Sequence, residues 1–233
     1  MDAVRDGRAE LRGDAARHLT RVLRAKAGQL YEISDHRAAY LAEIVEANPE
    51  CAVFRVVEAL AMPPEPLLRV TLCAALIKFD RFEWIVEKAT ELGVERIVPV
   101  ETALSEKGLR PASGKRAARW ERIARESSQQ SRRLQAPLVQ TAVRFEEALA
   151  TVSDYRYFLD EAGAPSLHGM LPEDRTKPAE AALLIGPEGG WTNAERQAAA
   201  TAGWRAAGLG PRILRAETAA VAALAVLLAA WTA

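Results

Sequence analysis

The sequence is poor in the residues that build disulfide frameworks and metal centres. Its 233 residues include two cysteines, Cys51 and Cys73, and three histidines, and no pair of them has the spacing of metal ligands. Both cysteines lie within apolar runs, which is typical of buried, reduced thiols. The composition therefore predicts a cytoplasmic protein without disulfide bonds and without a bound metal.

An excess of charge of one sign is missing as well. The 31 Lys and Arg residues balance 31 Asp and Glu residues, so no overall basic field marks the chain as a nucleic-acid-binding protein. The apolar, Ala-rich stretch 219–233 falls short of the roughly 20 residues that a membrane span needs. It predicts a buried terminal helix instead.

Three loop motifs of common enzyme classes are also absent. There is no Gly-Lys-Ser/Thr phosphate loop, no Gly-x-Gly-x-x-Gly after a strand and no Gly-x-Ser-x-Gly turn. These absences argue against a phosphate-loop nucleotide hydrolase, a dinucleotide-binding dehydrogenase and an α/β serine hydrolase.

The pattern of the chain changes near its most proline-rich stretch, Met62–Pro66, which we interpret as a linker between domains at 1–66 and 67–233. The first part has a short helix at Ala15–Leu23 and closely spaced β-leaning runs, which predict a small β-barrel. Those runs are Leu30–Asp35, Tyr40–Val45 and Cys51–Leu60.

The second part repeats a strand–helix pattern, which predicts an α/β fold with a parallel sheet. Its first unit is a strand at Leu67–Ile77, a helix capped by Asp80 and stopped by Gly93, and a strand at Val94–Val100. Residues 101–113 are predicted to form a loop. The further predicted elements are helices at Gly114–Arg132, Phe145–Val152 and Thr192–Ala202, strands at Leu138–Val139, Tyr155–Leu159, Ala181–Ile185 and Trp204–Leu209, and a terminal helix from Glu217 or Thr218.

Two loops near the C-terminus combine glycine, proline and charge. The turn Gly186–Gly190 follows an apolar strand, and glycine lets the backbone approach a ligand closely. Glu188 at its centre repels phosphate, so a neutral or cationic ligand fits better, such as an adenosine that carries a sulfonium. The alternative is a tight strand-to-helix turn without a ligand.

The second loop places Arg212, Arg215 and Glu217 before the terminal helix. Arg215 stays protonated, so it cannot act as a base, but it can neutralise developing charge or bind phosphate. Glu217 can accept a proton, or it can simply be favoured at a helix N-terminus. On spacing alone, the structural interpretation of Glu217 is favoured, and the alternative for the whole loop is a surface ion-pair group at a helix start.

Basic residues are concentrated in two regions of this neutral chain. Ten Lys and Arg lie between Lys107 and Arg144, against Glu121 and Glu126. A second group contains Arg17, His18, Arg21, Arg24 and Lys26. Each alone is typical of a solvated helix face, but the two together favour an anionic polymer as partner.

Four motifs give the chain a family resemblance. They are His18–Arg24, Trp84–Val94, Ile185–Gly190 and Leu209–Thr218, and they follow the same order in the family. On these residues the chain resembles the bacterial 16S ribosomal RNA uridine N3-methyltransferases of the SPOUT class. The resemblance implies a PUA-like β-barrel, an α/β domain with a trefoil knot, and a homodimer. It also implies S-adenosylmethionine as methyl donor and a small-subunit ribosomal RNA uridine, or the assembled subunit, as substrate.

The resemblance also assigns roles to residues. Arg215 is expected to stabilise the charge on the reacting base, while Glu217 or solvent takes the proton. The expected RNA contacts are His18, Arg21, Arg24, Arg132 and Arg133. The expected donor-binding residues are Leu159, Ile185, Gly186, Pro187, Glu188, Gly190, Leu209, Gly210, Ile213 and Leu214. Two rival hypotheses are a non-catalytic RNA-binding or ribosome-assembly module with a degenerate donor pocket, and an α/β enzyme acting on a small nucleotide.

Overall fold

The computed structural model describes residues 4–35, 37–61 and 64–232. It divides into two compact units, Met1–Glu65 and Pro66–Ala233. Part of the predicted linker, residues 62 and 63, lies outside the described residues, as does His36.

The first unit is a four-stranded antiparallel sheet in the order β1-β4-β3-β2. Its elements are β1 (Arg8–Arg12), α1 (Asp14–Arg17) followed by a π-helical turn (His18–Val22), β2 (Leu30–Ser34), β3 (Ala39–Ala47) and β4 (Cys51–Ala59). Alternate residues of the central strands, such as Ile44 and Phe54, are buried in a small apolar core. The three predicted strands and the short helix are confirmed.

The second unit contains a parallel sheet of seven strands. The order is β11-β9-β10-β5-β6-β7, with β8 also pairing with β6. The strands are β5 (Leu68–Ala75), β6 (Arg96–Glu101), β7 (Leu138–Val139), β8 (Val143–Arg144), β9 (Tyr155–Leu159), β10 (Ala179–Ile185) and β11 (Arg205–Ala207). The central strand β10 is continuously apolar from Ala181 because both faces of the sheet are covered. The predicted α/β class is confirmed.

Helices cover the two faces of this sheet. They are α2 (Phe79–Leu92), α3 (Leu109–Ser113), α4 (Ala117–Gln130), α5 (Phe145–Leu149), α6 (Asn193–Thr201) and α7 (Ala216–Ala230), with 3-10 turns at Gly114–Arg116 and His168–Met170. Side chains of α2, α4 and α7 form one apolar core, and those of α5 and α6 form another on the opposite face. Cys73 belongs to the second core, where burial raises the pKa of its thiol to about 11.

The helix boundaries confirm some predictions and correct others. Gly93 ends α2 with φ 101°, and Thr192 with Glu195 forms the predicted capping box. The prediction that Asp80 caps α2 is wrong, because the helix begins at Phe79 and Asp80 lies in its first turn. Residues 101–113 are not entirely loop, since α3 occupies Leu109–Ser113. Among the described residues, no helix is both long and apolar enough to cross a membrane.

Candidate active site

Three loops meet at one edge of the parallel sheet. They follow β9, β10 and β11, and these strands are neighbours that run in the same direction, so their carboxyl ends lie side by side. This edge is where open α/β sheets bind ligands. A cleft of about 210 Å³ opens between the loops.

All ten residues predicted to bind a donor line this cleft, from Leu159 through the turn Gly186–Gly190 to the loop Leu209–Leu214. Seven further residues line it. Asp160 and Glu161 lie in the turn after Leu159, and Gly189 and Arg212 lie within the loops Gly186–Gly190 and Leu209–Leu214, so all four belong to the three loops expected to bind the donor. Sequence reasoning missed Trp191, Ala216 and Ala219.

The turn Gly186–Gly190 is held by the packing of Trp191. The indole Nε1 donates a hydrogen bond of 2.7 Å to the Leu159 carbonyl, and the ring packs on Phe158 at 4.5 Å between centroids. A Cβ on Gly186 would lie 2.8 Å from Trp191 Cε2. The first glycine of the turn is therefore required by the protein's own packing, not only by a ligand.

Asp160, which follows Leu159 in the cleft lining, is fixed by Arg196 of α6. The two side chains form a pair of hydrogen bonds, 2.8 Å from Nε to Oδ2 and 3.1 Å from Nη2 to Oδ1. Burial raises the pKa of the Asp160 carboxyl, but the hydrogen bonds from Arg196 and the backbone outweigh it and hold the pKa below its usual value. Asp160 therefore presents an ionised carboxylate, held in place by Arg196, at the lining of the cleft.

The two residues predicted to be catalytic occupy different environments. Arg215 is exposed, immediately precedes α7, and makes no side-chain hydrogen bond or ion pair with the described residues. Glu217 is 13% exposed and its Oε1 lies 3.9 Å from Nε of Arg81 on α2. Its buried Oε2 has no partner among the described residues. Neither residue is part of the cleft lining, although Ala216 between them is.

The residues predicted to contact RNA differ in how exposed they are. His18 and Arg21 are exposed on the helical turn of the first unit, and Arg24 is exposed just after it. Arg132 is exposed at the end of α4 with φ 58°. Arg133 instead donates two 2.8 Å hydrogen bonds, to the carbonyls of Thr90 and Val94.

These bonds give Arg133 a structural part, joining the end of α4 to the end of α2. Burial lowers the pKa of its guanidinium. The prediction that Arg133 contacts RNA receives no support from this geometry. In the part of the chain that is described, no group of three or more His, Cys, Asp or Glu side chains is arranged to hold a metal ion.

The sheet, the loop cleft and the sequence together define an RNA methyltransferase domain, whose family model matches residues 63–228. More narrowly, the chain belongs to the family of ribosomal RNA small subunit methyltransferase E. It is 31% identical over 238 residues to the family member of Mycobacterium tuberculosis, covering 95% of this chain and 87% of that protein. To the Bacillus subtilis member it is 29% identical over 223 residues, which are 92% of this chain and 87% of that protein.

Solved structures are similar over almost the whole chain. The ribosomal RNA small subunit methyltransferase E of Neisseria gonorrhoeae, solved bound to S-adenosyl methionine, superposes with a TM-score of 0.87 at 29% identity. That match covers 99% of this chain and 96% of the other. A putative methyltransferase of Legionella pneumophila, also with bound cofactor, has a TM-score of 0.85 at 29% identity, covering 96% and 92%.

Proposed function

We propose that this protein transfers a methyl group from S-adenosylmethionine to N3 of a uridine in 16S ribosomal RNA. One observation carries the proposal: all ten residues expected to bind the donor converge on a single cleft at the carboxyl ends of β9, β10 and β11. The relatives support it, since they are named as small-subunit ribosomal RNA methyltransferases and one is solved with S-adenosyl methionine.

The chemistry of the cleft suits this donor better than a phosphate-bearing cofactor. The wall carries the carboxylates of Asp160, Glu161 and Glu188 against the single cation Arg212. Leu159, Ile185, Leu209 and Leu214 supply apolar surface for an adenine ring. The cleft is smaller than the roughly 300 Å³ at which most ligand pockets begin, so part of the donor lies at its open side, where the RNA arrives.

The reaction removes the N3 proton of uracil, and the N3 electron pair forms a bond to the methyl carbon of the donor. The bond from that methyl group to sulfur breaks, its electrons go to the sulfur, and the sulfonium leaves as a neutral thioether. As the proton leaves, negative charge spreads to the two flanking carbonyl oxygens. A cation next to these oxygens lowers the barrier. The Arg215 guanidinium is exposed beside the cleft and unpaired among the described residues, so we assign it this part.

The proton acceptor is better assigned to solvent than to Glu217. Glu217 faces Arg81, and it is absent from the lining of the cleft. Of the two acceptors expected from the sequence, solvent is therefore the one that we propose.

The RNA is proposed to contact the exposed cations His18, Arg21, Arg24 and Arg132. Phosphate contacts of this kind position an RNA and make its binding salt-dependent. The first unit would be the PUA-like RNA-binding domain, in which the four-stranded sheet forms part of a barrel. Acting on ribosomal RNA would place the protein in the cytoplasm.

The trefoil knot is part of the same proposal. The end of β11 runs directly against the preceding long loop: Gly208 N donates to the Pro165 carbonyl at 2.7 Å, and Leu167 N donates to the Gly208 carbonyl at 2.8 Å. A Cβ on Gly208 would lie 2.9 Å from the Ala164 carbonyl oxygen. These contacts form a parallel bridge between Ser166 and Gly208, so the loop after β9 packs on the end of β11, and the knot itself is proposed from the family resemblance.

A homodimer is supported by the surface of α7. This helix is apolar on all sides after Thr218, which is typical of a helix that is buried all round. Yet Val221, Ala222 and Ala225 are only half-buried in the single chain. We propose that this strip is covered by a second copy.

Calorimetry with S-adenosylmethionine tests the donor site, and primer extension on 16S ribosomal RNA tests the target. A methyl group on N3 blocks base pairing, so reverse transcriptase is expected to stop at the target in the wild-type strain and to read through in a deletion strain. Absence of binding heat would favour a non-catalytic RNA-binding module. If the protein binds the donor but no reverse-transcriptase stop disappears in the deletion strain, the proposed target is wrong.

A further inference from the structure

Arg81 connects two carboxylates that belong to different parts of the donor-binding region. Its Nη1 lies 2.5 Å from Oε1 of Glu188, which is in the turn after β10. Its Nε lies 3.9 Å from Oε1 of Glu217, in the first turn of α7. A single guanidinium in the first turn of α2 thus bridges the glycine-rich turn and the terminal helix.

The three side chains of this ion-pair group differ in burial. Glu217 is 13% exposed, Arg81 33% and Glu188 42%. A buried carboxylate needs a compensating cation, and Arg81 is the only one that pairs with Glu217 among the described residues. Glu217 therefore lies on the inner side of Arg81 at ion-pair distance, and Nη1 of Arg81 donates a hydrogen bond to Glu188 on the outer side.

Arg81 lies outside the cleft lining and contacts a residue that belongs to it. Glu188 lines the cleft, whereas Arg81 and Glu217 do not. The far end of the same turn is fixed by packing, because a Cβ on Gly189 would meet Leu104 at 3.1 Å and one on Gly190 would meet Glu161 at 2.7 Å. On the side that faces α2, the ion pair with Arg81 is the contact that holds the turn.

We infer that Arg81 is a positioning residue of the donor cleft, which holds the turn Gly186–Gly190 in its binding shape through Glu188 and is itself anchored by Glu217. The inference rests on the proposed function, since it assumes that the cleft binds the methyl donor. It gives Glu217 an anchoring part in place of proton transfer. It also explains why a ligand-binding loop contains the acidic residue Glu188, because the Arg81 guanidinium neutralises the Glu188 charge from outside the cleft.

The test compares donor affinity in variants of the full-length protein. Arg81→Met removes the charge and keeps the length of the side chain, and Arg81→Lys restores the charge without the two-sided guanidinium. Arg119→Met is a matched control, because Arg119 also pairs with a largely buried carboxylate of α2, Glu83, at 2.7 Å and 12% exposure. Calorimetry with S-adenosylmethionine is run at a temperature at which circular dichroism shows every variant folded.

Arg81→Met is expected to weaken donor binding about tenfold, as the loss of one charge-assisted hydrogen bond does. Arg81→Lys should recover part of the loss, and Arg119→Met should stay within about twofold of the wild type. Glu188→Gln is expected to weaken donor binding less in the Arg81→Met background than in the wild type, because the part of its effect that depends on the ion pair with Arg81 is already lost.

A folded Arg81→Met variant with wild-type donor affinity would overturn the inference, as would an equal loss in Arg119→Met. If Arg81→Met does not fold, Glu217→Gln takes its place, since it removes the anchor while keeping the volume. It is expected to weaken donor binding about threefold, and unchanged affinity in this folded variant would likewise overturn the inference. A wild-type protein that binds no donor refutes the proposed function itself, and the positioning part falls with it.

Discussion

Gly186→Ala is expected to destabilise the protein and to lower its affinity for the donor, although it adds only one methyl group. The new Cβ would lie 2.8 Å from Cε2 and 3.0 Å from Nε1 of Trp191, so the indole has to move by roughly half an ångström. Overpacking of this kind costs about 1–3 kcal/mol. Movement of Trp191 also strains its 2.7 Å hydrogen bond to the Leu159 carbonyl, which contributes about 1 kcal/mol.

The expected loss is therefore about 2–4 kcal/mol in the free energy of unfolding, measured by urea denaturation. Gly114→Ala is the matched control, because Gly114 has helical backbone angles and no atom lies within 4 Å of the added Cβ. Helix propensity predicts that this control is neutral or slightly stabilising. Equal stability of the two variants would refute the packing argument, and so would unchanged donor affinity in a destabilised Gly186→Ala protein.

Three further outcomes follow from the site. Arg215→Ala should bind donor and RNA normally but methylate about 10²–10³-fold more slowly, and a normal rate in a single-turnover assay would exclude Arg215 from the chemistry. Asp160→Asn should lower the free energy of unfolding by about 1.5–3 kcal/mol at neutral pH, because it weakens the hydrogen bonds to Arg196. Because the folded-state pKa of Asp160 is lowered, wild-type stabilisation is present above the unfolded pKa of about 3.9 and is lost as the pH falls through the folded pKa. If the difference in unfolding free energy between the wild type and Asp160→Asn stays constant down to acidic pH, this expectation is wrong. Arg133→Lys should cost about 1–3 kcal/mol, since an ammonium cannot reach both carbonyls, and a stable variant with weakened RNA binding would restore Arg133 as an RNA contact.

The regular elements of the second unit could be predicted because local patterns determine them. The helix α2 has apolar residues at helical spacing and a glycine at its end, and both are visible in the sequence. The capping box of α6 is likewise contained in four consecutive residues. By contrast, β1 was missed because three of its five residues are charged and it is recognised as a strand only by its pairing with β4.

The site shows the same division between local and long-range information. The donor loops could be predicted, since each is a glycine-rich or proline-rich segment at the end of an apolar strand. The Arg81–Glu188 ion pair could not, because no local pattern links α2 to a turn so far along the chain. Arg132 and Arg133 look equivalent in the sequence. They differ in the fold because the left-handed backbone at Arg132 redirects the chain, and Arg133 then reaches the carbonyls at the end of α2.

The central claim is donor-dependent methylation of a ribosomal RNA uridine at N3. The direct measurement incubates the purified protein with S-adenosylmethionine carrying an isotopically labelled methyl group and with small ribosomal subunits from a deletion strain. The 16S RNA is then digested to nucleosides and analysed by mass spectrometry. We predict labelled N3-methyluridine in an amount that approaches one per subunit. Label in any other nucleoside, or no label in the RNA, would contradict it.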